Sequence, residues 1–178
     1  MGEALPHFTY HPQPLTTGSV VPSDARCLCC REARGFIYVG PTYAEADIDE
    51  QLCPWCIADG SASRSFGASF VDSSPLVRAG VSTAIAEELE SRTPGYVSWQ
   101  QDSWLSHCED ACEFHGDASL EDVALASEST KAAWRSDYQM PEEGWADVTR
   151  NYEPKGAQAF YKFVCRHCGF VQLGWDCA

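Results

Sequence analysis

Three Cys-x-x-Cys pairs recur in a chain of 178 residues: Cys27/Cys30, Cys53/Cys56 and Cys165/Cys168. A fourth pair, Cys108 and Cys112, is spaced four residues apart. Two thiols separated by two residues can grip one tetrahedral ion from a tight turn, so the four pairs supply ligands for two all-thiolate zinc sites. Closing those sites forces distant segments together, which constrains the fold more tightly than any apolar pattern in the chain.

Cys27, Cys30, Cys53 and Cys56 form C-x2-C…C-x2-C and are expected to hold the first ion. Cys29 is the spare thiol beside them and reads as a small apolar side chain. For the second ion, Cys165 and Cys168 take Cys108 and Cys112 as partners, with His107 and His115 competing for the fourth position because imidazole also binds zinc. Cys177, next to the chain end, reads as a free thiol. Four thiolates close the metal's shell and leave no open position for water, so both ions are expected to be scaffold and no catalytic residue is assigned. A metal-dependent hydrolase is the alternative, requiring a water-bearing metal. A thiol–disulfide oxidoreductase is another, since Cys53-Pro54-Trp55-Cys56 has the form of a redox motif. That chemistry needs its first thiol at a helix N-terminus.

Acidic residues number 26 against 12 basic, a formal charge of −14. Such a chain repels phosphate backbones, so nucleic acid is not the expected partner; the charge reads first as plain solubility, and its sharper reading is an acidic face for a basic protein partner. No apolar run is long enough for a membrane span, and the N-terminus lacks the basic and apolar regions of an export signal. A cytoplasmic chain is expected, where thiols stay reduced.

An α+β fold is expected, with zinc-ribbon-like knuckles, short antiparallel strands and a small helical region. Residues 1–80 are expected to form an N-terminal arm and a zinc-ribbon-like unit. Residues 81–178 read as a helical segment closed by a C-terminal zinc knuckle hairpin, with a single compact domain as the alternative to two parts. The Pro-rich stretch 1–26 suits an extended arm. Gly35–Gly40 encloses a short strand, and 58–74 reads as loop. Val81, Ile85 and Leu89 mark a helix begun by Ser82 or Thr83. Ser98 with Gln101 suggests a capping box opening a second helix that ends at Gly116 and places Leu105, Cys108, Cys112 and His115 on one face. A short helix is expected from Ser119 and a loop over 127–158. Strands 160–164 and 170–173 then flank the last knuckle.

The stretches PHFTYHPQPLTTGS (6–19), CLCCREARGFIYVGPTY (27–43), LCPWCIADGSAS (52–63), RTPGYVSWQQDSWLSHCEDACEFHG (92–116) and YKFVCRHCGFVQLGWD (161–176) together resemble the CbrC family of bacterial proteins. That family is tied by name to tolerance of a nuclease-type colicin. The resemblance implies a bacterial, cytoplasmic, zinc-ribbon-like protein and an immunity-like role against a protein toxin. Segment 117–158 carries little of it.

Overall fold

The computed structural model describes residues 4–178. Its fold is α+β, as expected, with small antiparallel sheets, short helices and Cys-rich knuckles. The arm leads into β1 (Val20–Pro22), which pairs antiparallel with β2 (Phe36–Tyr38). Four helices follow: α1 (Pro54–Ala58), α2 (Ser61–Phe66), α3 (Ser74–Arg78) and α4 (Thr83–Arg92). Next come the hairpin β3 (Ser106–His107) and β4 (Asp110–Ala111), then β5 (Glu113–Asp117). The chain closes with α5 (Leu120–Ala124), α6 (Glu128–Asp137), α7 (Gly144–Thr149), β6 (Gln158–Val164) and β7 (Val171–Cys177). The last two strands extend β5 into a sheet ordered β5-β6-β7.

Side chains alternate across β6, and this divides the C-terminal half into two cores. Ala159, Tyr161 and Phe163 join Tyr96, Trp104, Phe114 and Leu89 on one side. Phe160, with Leu173 of β7, faces Trp134, Trp145 and Tyr152 on the other. This period of two is the normal geometry of a strand covered on both faces. A third core surrounds the first Cys group, where Cys27, Cys53 and Cys56 lie among Ile48, Ile57 and Phe70. The arm bridges two of these cores, with Phe8 in the Cys-rich one and Tyr10 in the sheet core.

Several local expectations are overturned. The helix expected from Ser98 to Gly116 is instead an irregular segment followed by β3, β4 and the start of β5. Cys108 and Glu109 have φ of 54° and 60°, the left-handed pair that a two-residue hairpin turn requires between Ser106↔Ala111 and His107↔Asp110. Gly116 does not terminate a helix. It sits in β5 at φ 93°, where the register with β6 shifts between Phe114 and Asp117, as at a bulge. The loop expected over 58–74 contains α2, and the loop over 127–158 contains α6 and α7. Helix α6 begins at Ser127, whose hydroxyl accepts from Thr130 N–H. Thr130 and Trp134 are its buried residues, and Tyr138 packs on the same core. That i, i+4, i+8 stripe is polar at one end and so escapes an apolar-period reading.

The α4 expectation holds: Ser82 caps a helix over Thr83–Arg92, burying Leu89. Ser119 likewise starts α5, with a reciprocal capping box to Asp122.

His11, to which the sequence assigned no role, is completely buried. Its Nδ1 lies 2.7 Å from the Pro94 carbonyl and must donate there, leaving Nε2 to accept from the Thr17 hydroxyl at 2.6 Å. Burial, reinforced by His115, pushes its pKa from the ordinary 6.5 down to about 4, although the Pro94 contact opposes the shift. The unfolded chain therefore binds a proton that the folded chain refuses. This contribution is intact above pH 6.5, is lost as pH falls towards 4, and reaches about 3 kcal/mol in full. Between pH 7 and pH 5, denaturant titrations should show wild type losing about 2 kcal/mol more stability than His11→Asn. Equal losses would remove His11 from the acid response.

Candidate metal centres

The first group is assembled from two different turns. Cys27-x-x-Cys30 is a knuckle in which Arg31 N–H donates to the Cys27 carbonyl at 2.8 Å. Arg31 takes the left-handed conformation there, with φ of 64°. Cys53 and Cys56 come from the first turn of α1, with Cys53 as N-cap and Pro54 next to it, a position where proline's fixed φ suits the helix. The thiols of Cys27 and Cys56 are 3.8 Å apart, as are those of Cys30 and Cys53. All four ligand atoms lie within 4.8 Å of one another. A tetrahedron with metal–sulfur bonds of about 2.3 Å has edges of about 3.8 Å, so the group fits one tetrahedral ion. A disulfide would need about 2.05 Å.

This group is shielded on most sides, with Cys30 partly exposed. Cys27 and Cys53 are completely buried and Cys56 nearly so. Cys53 N–H donates to Cys27 Sγ at 3.2 Å. The Cys53 thiol, with the backbone N–H groups of Cys30, Cys53 and Cys29, overcomes burial and holds Cys27 down to about 4. Cys27 is thus set up as a thiolate, the form that binds metal.

The second group pairs a knuckle with a hairpin. Cys165-x-x-Cys168 repeats the first knuckle's plan: Gly169 N–H donates to the Cys165 carbonyl at 2.9 Å, and Gly169 has φ of 71°. The other two ligand atoms come from the β3–β4 turn. They are Cys108 Sγ, 3.8 Å from Cys168 Sγ, and His107 Nδ1, 3.2 Å from Cys108 and 3.4 Å from Cys168. With a metal–nitrogen bond near 2.0–2.1 Å, a tetrahedral N···S edge is about 3.5 Å, so three thiols and one imidazole fit a second ion. Burial raises Cys165, but the N–H groups of Cys168 and His167 and further contacts to His107 and Cys168 outweigh it, leaving about 6.

Cys112, expected as the fourth ligand, does not belong to this group. The hairpin reverses the chain after Cys108 and sends Cys112 into the sheet core, with Sγ 3.4 Å from Gln172 Oε1. Burial and the nearby Cys165 push its thiol up to about 12, so it remains protonated. Of the two histidine competitors, His107 occupies the place, while His115 lies on β5 beside Glu113. Cys29 lies near Ser61 and Ser65, and Cys177 ends β7; neither joins a group.

Asp110, next to the hairpin turn, clamps the second group's two halves together. Its carboxylate accepts from the Tyr10 hydroxyl at 2.9 Å and contacts His167 Nε2 at 2.9 Å and Arg166 Nη1 at 3.1 Å. Burial raises this carboxyl, but the donors from His167, Tyr10 and Ala111 and the Arg166 charge hold it below the usual range. Outer partners of this kind orient metal ligands. No spacing in the sequence signals the clamp, because it depends on a hairpin that the sequence reads as helix.

The two groups differ in exposure. Cys27, Cys53 and Cys56 of the first are buried and Cys30 partly so, whereas Cys108 and Cys168 of the second are exposed. In each, four donor atoms lie close enough together to hold one metal ion. Cys53 does stand at a helix N-terminus, as a redox thiol would, but it is completely buried, and a thiol that no substrate can reach is a poor nucleophile. Among the described residues, no helix is long and apolar enough to cross a membrane.

Comparison with known proteins adds a family but no activity. The description "Uncharacterised protein family (UPF0167)" matches residues 5–177. UPF0167 protein PA1536 of Pseudomonas aeruginosa is 46% identical over 177 residues, covering 99% of both chains. UPF0167 protein Mb2317 of Mycobacterium bovis is 38% identical over 170 residues, covering 94% of this chain and 90% of that protein. UPF0167 protein MT2352 of Mycobacterium tuberculosis matches to the same extent, 38% over 170 residues. No solved structure matches the chain. The chain belongs to the UPF0167 family.

Proposed function

We propose that this UPF0167 member is a non-enzymatic, zinc-braced bacterial binding protein that acts in the cytoplasm by docking a basic protein. The observation that carries this reading is the completeness of both donor groups. Four thiols in one, and three thiols with an imidazole in the other, leave a tetrahedral zinc ion no position for water or substrate. When bound, zinc supplies cross-links, with Cys27, Cys30, Cys53 and Cys56 holding one ion and His107, Cys108, Cys165 and Cys168 the other.

The charge of −14 supports a cationic partner, because a field of that sign accelerates encounter with a basic surface. Nuclease toxins are basic where they grip nucleic acid, and the resemblance to the CbrC family points to a nuclease-type colicin. An immunity-like role in toxin tolerance follows from the two together.

Mixing the purified, metal-loaded chain with the nuclease domain of such a colicin tests the proposal. A complex on gel filtration that weakens as salt rises, with loss of nuclease activity, is the expected result. Neither complex nor inhibition at micromolar concentrations would remove the toxin reading. Two zinc ions per chain by elemental analysis are expected, and an ion with a bound water would return hydrolase chemistry to consideration.

A further inference from the structure

Away from both metal groups, segments 39–43 and 96–102 enclose a cavity of about 390 Å³. Thr42, Tyr43, Asp49, Glu50, Tyr96 and Asp102 are among the residues that line it. Asp102 is buried, and its carboxylate accepts hydrogen bonds from the Tyr43 hydroxyl and, at 3.4 Å, from Asp72 N–H. Thr42 Oγ1 is also buried and has no hydrogen-bond partner among the described residues. Asp49 and Glu50 are exposed at the rim. No Lys or Arg forms an ion pair with Asp49, Glu50 or Asp102 among the described residues. The cavity therefore gathers three carboxylates that no Lys or Arg ion-pairs among the described residues.

Tyr96, Val97 and Ser98 also form one wall of a second cavity, of about 260 Å³. Its lining includes Trp99, Phe114 and Tyr161. Its charged groups, Asp117 and Lys155, are of opposite sign. The crest between the cavities exposes Val97 (66%) and Trp99 (55%), two residues apart along the chain.

Both walls are held in place. The Tyr38 hydroxyl donates to the Pro41 carbonyl at 2.7 Å and accepts from Gly95 N–H at 3.1 Å, linking the two segments. Gly95 cannot be replaced without a shift, because a Cβ there would lie 2.1 Å from the Phe70 carbonyl. Past the crest, Gln100 N–H donates to Asp176 Oδ2 at 2.9 Å. A site already fixed in this way spends little free energy on ordering when a ligand arrives.

Resting on the basic-partner reading above, we infer that the acidic cavity receives an arginine side chain of that partner. A neighbouring apolar side chain of the same segment seats against Val97 and Trp99 in the second cavity. Guanidinium suits the first cavity for two reasons. Its planar fork offers several N–H donors to carboxylates on different segments, and its weak hydration makes burial tolerable. Burial holds the Asp102 carboxyl above its usual range, against the pull of the Tyr43 and Asp72 donors, as expected of a buried anion short of positive charge. An exposed tryptophan beside a charged pocket is also a common composition for an energetic hot spot.

The blocked peptide acetyl-Leu-Arg-Leu-Arg-amide is the probe, with its citrulline analogue as the neutral control. On the metal-loaded chain, amide NMR shifts are expected to concentrate in segments 39–43 and 95–102, with little response to the citrulline peptide. The pair Asp49→Asn and Glu50→Gln should weaken binding at least fivefold. The pair Glu142→Gln and Glu143→Gln, which removes the same charge elsewhere, should change it less than twofold. Trp99→Ala should weaken it by removing the crest. Equal weakening by both charge pairs, shifts spread over the whole surface, or no binding would each overturn the site. A colicin nuclease domain that binds wild type and the Asp49→Asn/Glu50→Gln pair equally would sink this site and leave the basic-partner reading standing. Peptide capture in the cavity with no nuclease binding would sink the toxin reading instead.

Discussion

Cys53→Ser is expected to unfold the N-terminal half of the chain. The metal content should fall from two ions to one, and the melting transition should drop by more than 15 °C or the protein become insoluble. The secondary structure around the first group has little stability of its own. Helices α1 and α2 have five and six residues, and the β1–β2 ladder has three pairs. Elements this short do not persist without tertiary support. That support converges on the metal group, since Cys27, Cys53 and Cys56 pack directly against Ile48, Ile57 and Phe70. A structural zinc contributes about 10–16 kcal/mol in small domains, as large as the whole net stability of a typical protein, about 5–15 kcal/mol. Serine removes a ligand and leaves a hydroxyl in a fully buried site, so both effects act in the same direction. A strong chelator at neutral pH should reproduce the loss in wild type. A variant that melts within a few degrees of wild type would show that apolar packing, not metal, holds this half together.

How much of this was legible in the sequence depends on whether a feature is local. Cys27/Cys30 and Cys53/Cys56 are legible because a knuckle is made by the residues between its thiols, whatever surrounds it. Gly169 announces the turn of the last knuckle for the same reason, whereas Arg31 makes the equivalent turn at φ of 64° with no glycine to mark it. Ser82 and Ser119 are legible as caps because each bonds within its own first turn. The hairpin at 106–111 is not legible. Cys108-Glu109 takes the left-handed pair without the Asn-Gly or Asp-Gly that usually reveals such a turn, and the spacing of Leu105, Cys108 and Cys112 imitates a helix. Tertiary contacts decide the matter: Cys112 N–H donates to the Leu105 carbonyl, and Trp104 Nε1 to the Cys112 carbonyl at 2.9 Å. The cavity at Asp102 is hidden for a similar reason, since Tyr43 and Asp102 come together only when segments 39–43 and 95–102 are docked through Tyr38 and Gly95.

The misread hairpin changes one ligand, and a pair of substitutions isolates that change. His107→Ala is expected to reduce bound metal from two ions to one, while Cys112→Ala retains both. The distinction rests on where the chain turns. Reversal at Cys108-Glu109 keeps His107 Nδ1 within 3.4 Å of two thiols, while Cys112 is carried behind β4 into contact with Gln172. His107→Cys should recover the second ion, because a shorter thiolate with a longer metal bond can span a similar distance. Cobalt substitution gives an independent reading: thiolate-to-cobalt absorption from the second group should correspond to three sulfurs in wild type and rise in His107→Cys. Cys112→Ala removes a buried sulfur from the sheet core and costs about 1–2 kcal/mol. His107→Ala loosens an exposed hairpin that the Asp110 clamp still ties to Arg166 and His167, so its melting temperature should fall far less than that of Cys53→Ser. Loss of an ion in Cys112→Ala with full occupancy in His107→Ala would reverse the assignment and restore an all-thiolate second site.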